Sequence, residues 1–183
     1  MTVAWLSGTS DPATSALAPE ELRLLQALAQ GRCVIGNNFP WPAEVGAFRP
    51  TPMLLASARN GVQFWRVRLS RRYRRFVAGR VRQLLDRSEP PLTIITGSQG
   101  LELLRLAWPA VGPGTGEVAV IALGPVAGRL PSGLRPFVVQ ASGDWVSRFG
   151  WRGPVDLVSC GGHLDYVRSP EIVEQLRGRV AGR

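Results

Sequence analysis

The stretch TIITGSQGLELL, residues 93–104, contains a strand signal, a tight turn and a helix signal in direct succession. Its apolar β-branched run predicts a strand at LTIITG (92–97), and the run is nearly continuous, which is typical of a parallel strand covered on both faces. Gly97-Ser98-Gln99-Gly100 interrupts the run, and apolar residues then recur at helical spacing. A strand followed at once by a helix is the repeating unit of a parallel sheet, so the stretch predicts an α/β fold.

The same alternation of strands and helices extends along the chain. Five further apolar runs predict strands: TVAWLSG (2–8), CVIGNN (33–38), EVAVIALG (117–124), RPFVVQASG (135–143) and PVDLVSCG (154–161). Helices are predicted at APEELRLLQALAQG (18–31), near 67–87, at LELLRLAWPAV (101–111) and at SPEIVEQLRGRV (169–180). Residues 37–66 are predicted to be irregular, apart from a short helix around Met53–Arg59. The pattern predicts one domain over residues 1–183, a three-layer α/β sandwich with a mostly parallel sheet of about six strands and helices on both faces.

Composition narrows the classes of protein to which the chain belongs. With 183 residues and 45% hydrophobic content it can bury an ordinary core, and no apolar run is long enough to predict a membrane span. The start of the sequence lacks the basic residues and the apolar centre of a secretory signal. We therefore expect a cytoplasmic protein that does not associate with membranes. No residue pattern indicates an oligomeric state.

The charge is strongly positive, with a net value of +9 and 22 basic residues that are all arginine. Complete avoidance of lysine is typical of a genome-wide composition bias, so we do not expect a nucleic-acid partner from charge alone. Residues 66–87 carry nine of the arginines. We interpret this segment as a helix with one solvated face, and a phosphate-binding surface is the alternative. Six apolar residues are predicted to supply its buried side: Val67, Phe76, Val77, Val81, Leu84 and Leu85.

The two cysteines, Cys33 and Cys160, are too few for a disulfide framework. They also lack the Cys/His spacing of a zinc site. We expect both to be buried structural thiols.

Ser98 lies where a central strand ends and a helix begins. A nucleophile on such a tight turn projects its hydroxyl above the sheet, and small neighbours are needed because larger side chains would collide with the turn. The start of the helix adds backbone N–H groups and a positive dipole end for a developing oxyanion. Ser98 is therefore placed as a nucleophilic serine would be. The alternative is that Ser98 only caps the helix, with Gly97 and Gly100 serving the turn.

An activated serine needs a histidine base and an acid that orients the histidine. His163 is the only histidine in the chain, and it follows the last predicted strand in SCGGHLDYV. Asp144 also follows a strand and lies between the serine and the histidine in sequence. We favour Asp144 over Asp165, which is close to His163 along the chain. Asp156 is expected to be buried inside the final strand, away from the crevice.

These residues resemble the α/β-hydrolase superfamily of serine hydrolases. The likeness runs from VAWLSG to SPEIVEQL, and its specific parts are TGSQG, SGDWV and GGHLDYVRSPEIVEQL, in the family's order. It implies a reduced α/β-hydrolase fold and hydrolysis of small acyl esters, thioesters or amides through an acyl-enzyme, without a metal or a cofactor. It also implies an oxyanion hole built from the Gln99 N–H and a second N–H in LSGTSD, with Gly8, Thr9 and Ser10 as the candidates.

The sequence also departs from the family's pattern. Thr96 occupies the first glycine position of the GxSxG elbow, LSGTSD lacks the His-Gly pair of many relatives, and no cap is inserted. The resemblance therefore implies an open site, in which the small-molecule acyl substrate rests on the apolar wall that the loops supply. Residues 37–66 are expected to be the richest source of this wall, and six aromatic residues are candidates: Phe39, Trp41, Phe48, Phe64, Trp65 and Trp145. Its strand order also implies that the two cysteines lie near opposite sides of the sheet and are not bonded to each other.

A second class of function stays open. In it the chain is a non-catalytic α/β module that binds an acidic partner through the arginine-rich helix 66–87. The glycine-rich stretch GPGTGE, residues 112–117, is not interpreted as a phosphate loop, because it precedes a strand rather than a helix and lacks a lysine.

Overall fold

The structure, a computed structural model, describes residues 1–39, 41, 46–111 and 118–181. Its strands are β1 (Thr2–Leu6), β2 (Cys33–Phe39), β3 (Leu92–Gly97), β4 (Val118–Leu123), β5 (Phe137–Ala141) and β6 (Leu157–Ser159). Its helices are α1 (Pro19–Ala29), α2 (Met53–Leu69), α3 (Arg71–Arg87), α4 (Gly100–Val111), α5 (Trp145–Gly150) and α6 (Pro170–Ala181). A 3₁₀ turn spans Tyr166–Arg168.

All neighbouring strands pair in parallel, in the order β2-β1-β3-β4-β5-β6. Successive residues of a strand point to opposite faces, and both faces are covered here. On one face, Leu6 and Ile94 pack in a core with residues of α3 and α4. On the other face, Trp5 and Ile95 pack with residues of α1 and α6. The predicted α/β sandwich, with a parallel six-stranded sheet and helices on both faces, is confirmed.

The register of the central strands brings their carboxyl ends to one edge of the sheet. Leu6, the last residue of β1, pairs with Thr96 of β3, and Gly97 pairs with Leu123, the last residue of β4. Segments that follow β1, β3 and β4 therefore begin side by side. In open parallel sheets ligands bind at the carboxyl ends of the strands, so we expect the functional site at this edge.

The arginine-rich segment forms two helices, which corrects the prediction of one. Helix α2 ends at Leu69, and α3 begins at Arg71. Ser70 separates them because its extended backbone (φ −101°, ψ 113°) breaks the helical path, while its Oγ accepts the N–H of Tyr73 and caps α3. Helix α2 also extends well beyond the short helix predicted around Met53–Arg59. Phe76, predicted to be buried, is 42% exposed because it lies beside the solvated face of α3.

Three further predictions of burial are wrong. Cys33 and Cys160 are exposed free thiols, because Cys33 begins the edge strand β2 and Cys160 follows the opposite edge strand β6. An edge strand lacks a neighbour on one side, so its residues stay accessible. Asp156 is also exposed, just before β6, where its carboxylate accepts the N–H of Val138.

Two other expectations concern membrane spans and the stretch that was not interpreted as a phosphate loop. Within the described ranges, no helix combines the length and the apolar character that crossing a bilayer requires. The glycine-rich stretch GPGTGE, residues 112–117, lies outside the described residues.

Candidate active site

Ser98 occupies a strained turn between β3 and α4. Its φ of 49° lies in the left-handed region, which is rare for a residue with a side chain and is often found at functional sites. A Cβ on Gly97 would lie 2.8 Å from the Trp5 ring, and a Cβ on Gly100 would collide with the Leu6 carbonyl. Both glycines are therefore required for the close approach of the turn to β1, and this approach fixes the direction of the serine hydroxyl.

Three of the predicted site residues meet at this turn. His163 Nε2 lies 3.1 Å from Ser98 Oγ, and His163 Nδ1 lies 2.9 Å from each carboxylate oxygen of Asp144. With the Nδ1–H donated to Asp144, Nε2 is left as an acceptor for the serine proton. Asp165 makes no such contact, because its Oδ2 accepts the N–H of Gly162 in its own turn. Hydrogen-bond contacts therefore connect Ser98 to His163 and His163 to Asp144.

Asp144 is fully buried and is held by donors from several directions. Its Oδ1 accepts the N–H of Ser147, which caps α5, and its Oδ2 accepts the hydroxyl of Tyr166 at 2.5 Å. Burial alone would raise the pKa of Asp144, but the hydrogen bonds from His163, Ser147 and Tyr166 outweigh it and lower this pKa below its ordinary value. The carboxylate therefore stays ionised beside the imidazole.

Tyr166 completes this network. Its hydroxyl accepts the N–H of Ala141 at the end of β5 while it donates to Asp144. Burial and the neighbouring carboxylate raise the pKa of Tyr166, so the phenol remains a donor. The sequence did not predict a role for Tyr166. The available signal was its position three residues after His163, in the short turn that follows a strand end.

The oxyanion candidates differ in whether their N–H groups are free. Among the described residues, no acceptor lies against the backbone N–H of Gln99, Gly8 or Ser10. The N–H of Thr9 donates instead to Gln63 Oε1 at 2.9 Å. This corrects the inclusion of Thr9, because an N–H already bonded inside the protein is not available to an oxyanion. Gln99, Gly8 and Ser10 all line the cavity that contains Ser98.

A cavity of about 520 Å³ opens in front of Ser98 and His163. Its apolar wall includes the side chains of Trp5, Met53, Phe64, Val126, Val146 and Leu164. A volume of this size suits a small ligand. The wall is therefore aliphatic and aromatic, and its residues come from separate parts of the chain.

Of the six aromatic candidates for substrate binding, Phe64 lines this cavity and the other five do not. Phe39 and Trp41 are 5% and 8% exposed and pack in the core that contains α3 and α4. The indole of Trp41 donates to the carbonyl of Ser7, behind the site. Trp145 is 61% exposed and stacks on Phe149. Its neighbour Val146 lines the cavity in its place, because the first turn of α5 directs the two side chains apart.

Helix α2 forms one side of the cavity; residues 37–66 were predicted to supply the apolar wall, but not as a long helix. Six of its residues face the cavity at helical spacing: Met53, Ala56, Ser57, Asn60, Gly61 and Phe64. That spacing was a readable signal, but the segment lacks the continuous apolar stripe on which helix prediction depends. The expectation of an open site without a covering element is therefore corrected on this side.

A polar network fastens α2 to the elbow and to the loop after β1. Gln99 Nε2 donates to Asn60 Oδ1 at 3.0 Å, and Gln63 Nε2 donates to the carbonyl of Thr9. Deeper in the protein, the buried carboxylate of Glu102 accepts Arg68 from α2 at 2.6 Å and Arg105 from α4. These bonds fix the distance between α2 and the candidate nucleophile.

Glu21 also lines the cavity, and its carboxyl has a structural role. Its Oε2 accepts the N–H of Ala18 at 2.9 Å and so closes the first turn of α1. Burial raises the pKa of Glu21 to about 7. Glu21 is therefore an acid on the cavity wall that makes no hydrogen bond to Ser98 or His163.

Comparison with known proteins finds structural similarity but no match at the level of sequence. No protein-family model matches the chain, and no curated protein is significantly similar to it. Solved structures similar to it include a carboxylesterase from Mesorhizobium loti, with 16% sequence identity and a TM-score of 0.49 over 100% of this chain and 88% of that one. At this similarity the neighbour's activity does not transfer to this chain, whose chemistry follows from its own site.

Proposed function

We propose that this protein is a serine hydrolase that cleaves small acyl esters or thioesters through an acyl-enzyme. The observation that carries the proposal is the chain of contacts from Ser98 Oγ through the imidazole of His163 to the buried carboxylate of Asp144. A serine that only caps a helix needs neither a base on its hydroxyl nor an acid behind that base. The combination is the arrangement by which a weak hydroxyl nucleophile is activated.

In the proposed reaction, Ser98 Oγ attacks the acyl carbonyl while its proton passes to His163 Nε2. The N–H of Gln99 and that of Gly8 or Ser10 donate to the oxyanion of the tetrahedral intermediate. The C–O or C–S bond then breaks, and the leaving alcohol or thiol takes the proton from Nε2. Water attacks the acyl-serine with His163 again as the base, which releases the carboxylic acid and restores the serine.

The electrostatic setting supports the same assignment. Asp144 is buried, and its lowered pKa keeps a negative charge beside the Nδ1–H, where it stabilises the imidazolium formed during each half-reaction. The positive end of the α4 dipole and the free N–H of Gln99 lie at the serine, on the side where negative charge develops. The imidazolium is therefore stabilised by a negative charge, and the oxyanion is stabilised by the positive end of the helix dipole.

The cavity points to short or medium acyl groups. Its apolar wall can cover a few methylenes, each worth about 0.8 kcal/mol on burial. The imidazole of His163 is already 26% exposed, so substrate reaches it without the opening of a covering element. We therefore expect soluble substrates and no activation at a lipid surface.

A series of p-nitrophenyl esters from acetate to palmitate tests both the activity and the chain-length preference. We expect turnover that is highest for acyl chains of about four to eight carbons, because longer chains leave methylenes outside a cavity of this size. Rates are measured below and above the aggregation concentration of each ester. An optimum at palmitate, or a jump in rate when the ester aggregates, would contradict the proposed cavity, and no turnover of any ester would contradict the hydrolase.

Replacing Tyr166 by phenylalanine tests the network behind Asp144. Loss of a buried hydrogen bond to a carboxylate is expected to cost about 1.5–3 kcal/mol of unfolding free energy at pH 7. Because the folded-state pKa of Asp144 is lowered, its contribution to stability is fully present above about pH 4 and is lost as the pH falls through the folded pKa. The variant raises that pKa, so its stability difference from the wild type should shrink in acid.

Urea unfolding of both proteins at pH 7 and pH 3 measures this difference. Tyr73→Phe is the matched control, because the Tyr73 hydroxyl has no hydrogen-bond partner among the described residues. Its effect should be the same at both pH values. A Tyr166→Phe penalty that does not change with pH would show that the hydroxyl acts through packing and not through the carboxylate.

A further inference from the structure

A second cavity of about 730 Å³ lies between α3, the second half of α4 and the loop after β4. Six arginines line it: Arg71, Arg74, Arg75, Arg82, Arg105 and Arg129. They come from three separate elements, so the cavity is not simply the solvated face of one helix. We call it the arginine groove. It shares no lining residue with the cavity that contains Ser98.

Internal carboxylates balance only part of this charge. Arg105 donates to both carboxylate oxygens of Glu102, and one of these oxygens also accepts a hydrogen bond from Arg68. Arg82 donates to the carbonyl of Ala110. In the described part of the chain, no acceptor or carboxylate meets the guanidinium groups of Arg71, Arg74, Arg75 or Arg129, and no Asp or Glu lines the groove. Several unpaired positive charges thus face one volume.

This arrangement is unfavourable without an anion, because like charges in one concave site repel and their fields add. A guanidinium group presents paired N–H donors that match two oxygens of a phosphate. Apolar residues also line the groove, among them Ala78, Leu106 and Pro109. Their side chains offer no competing hydrogen bonds, so a bound anion would be recognised by the arginines around it.

We propose that the arginine groove is a binding site for an oligophosphate, a ligand with several adjacent phosphate groups. A single phosphate would engage only two or three of the arginines, whereas the unpaired groups come from two elements, α3 and the loop that contains Arg129. Adjacent phosphates can contact arginines of both elements at once. The site is separate from the proposed hydrolase chemistry and does not depend on it.

Isothermal titration of the 183-residue chain with sodium tripolyphosphate at about 0.1 M salt tests the proposal. We expect saturable binding that weakens steeply as salt is raised. Arg74→Ala/Arg75→Ala should weaken it by about tenfold or more, because each charge-assisted hydrogen bond contributes roughly a factor of ten. The matched control is Arg23→Ala/Arg152→Ala, which removes the same charge from exposed positions outside the groove and should bind within about twofold of the wild type.

Circular dichroism checks that each variant is folded, and Arg129→Ala, on the loop side, gives an independent loss if the double variant does not fold. Equal loss in the groove variant and the control would show that net charge alone attracts the ligand and would overturn the site. Absence of saturable binding to the wild type would also overturn it. A single-stranded RNA 20-mer that binds far more tightly than tripolyphosphate, with the same sensitivity to Arg74 and Arg75, would replace the oligophosphate by a nucleic acid.

Discussion

Replacing Ser98 by alanine is expected to abolish ester hydrolysis, with kcat lower by about 10⁵- to 10⁶-fold, the scale of nucleophile removal in a serine-protease triad. The physical reason is that His163 Nε2 would lose the hydroxyl that lies 3.1 Å away, and no acyl-enzyme could form. A fluorophosphonate probe should label the wild-type protein once per chain. Peptide mapping should find the label on Ser98, and the alanine variant should remain unlabelled.

Ser57 provides the control for this experiment. It lines the same cavity from α2 but contacts neither His163 nor Asp144 in the described structure. Ser57→Ala should therefore keep the label and most of the turnover. Labelling that persists in Ser98→Ala would place the nucleophile at another serine. Wild-type protein that is folded, unlabelled and inactive would favour the non-catalytic module instead.

Asp144→Asn is expected to reduce kcat by about 10⁴-fold, the effect of the equivalent change in a serine protease. An amide presents its NH₂ group or a neutral oxygen to His163 Nδ1, so the tautomer that leaves Nε2 as an acceptor is no longer favoured. The substitution keeps the shape of the side chain and an oxygen for the N–H of Ser147. The fold should survive with lower stability, which near-UV circular dichroism can verify.

Asp165→Asn is the comparison that assigns the acid. Its carboxylate accepts the N–H of Gly162 at 2.7 Å and stabilises the turn that holds His163, so we expect a loss of no more than about tenfold in kcat. If Asp165→Asn proves the more damaging change and Asp144→Asn leaves turnover nearly intact, the acid would have to be reassigned.

The two functions considered from sequence use different parts of the molecule. The proposed hydrolase uses the carboxyl edge of the sheet, where β1 and β3 end. An acidic ligand would instead contact α3, α4 and the loop after β4. Because the two cavities share no lining residue, substitutions in one should leave the other unchanged. The oligophosphate site and the hydrolase site are therefore compatible.

The strands and the positions of Ser98, Asp144 and His163 were predictable because they depend on local signals and on one topological rule. The predicted strand at 92–97 matches β3, and α4 begins one residue before the predicted helix. In a parallel sheet every strand ends at the same edge, so residues that follow different strands come together whatever their distance in sequence. Sequence order alone thus indicated which side chains meet, although their catalytic roles stay predictions.

The residues around these three were less accessible to prediction. Phe39, Trp41 and Trp145 were chosen for their aromatic character, yet two lie in the core and one faces solvent. The cavity wall depends on the docking of α2, which is held by Arg68, Gln63 and Asn60 through contacts with distant segments. Such contacts are not encoded in any local period. The exposure of Cys33 depends in the same way on β2 being an edge strand.

Local sequence signals were enough to predict the α/β class, the parallel sheet and the strand-end positions of the candidate triad, because apolar runs, turn glycines and helix spacing act locally. The break at Ser70, the placement of Tyr166 behind Asp144 and the grouping of arginines from α3, α4 and the loop after β4 in one groove became evident only in the folded chain. Side-chain neighbours across the molecule depend on how helices rotate and dock on the sheet. That docking minimises exposed apolar area and unpaired polar groups over the whole chain, not within any single segment.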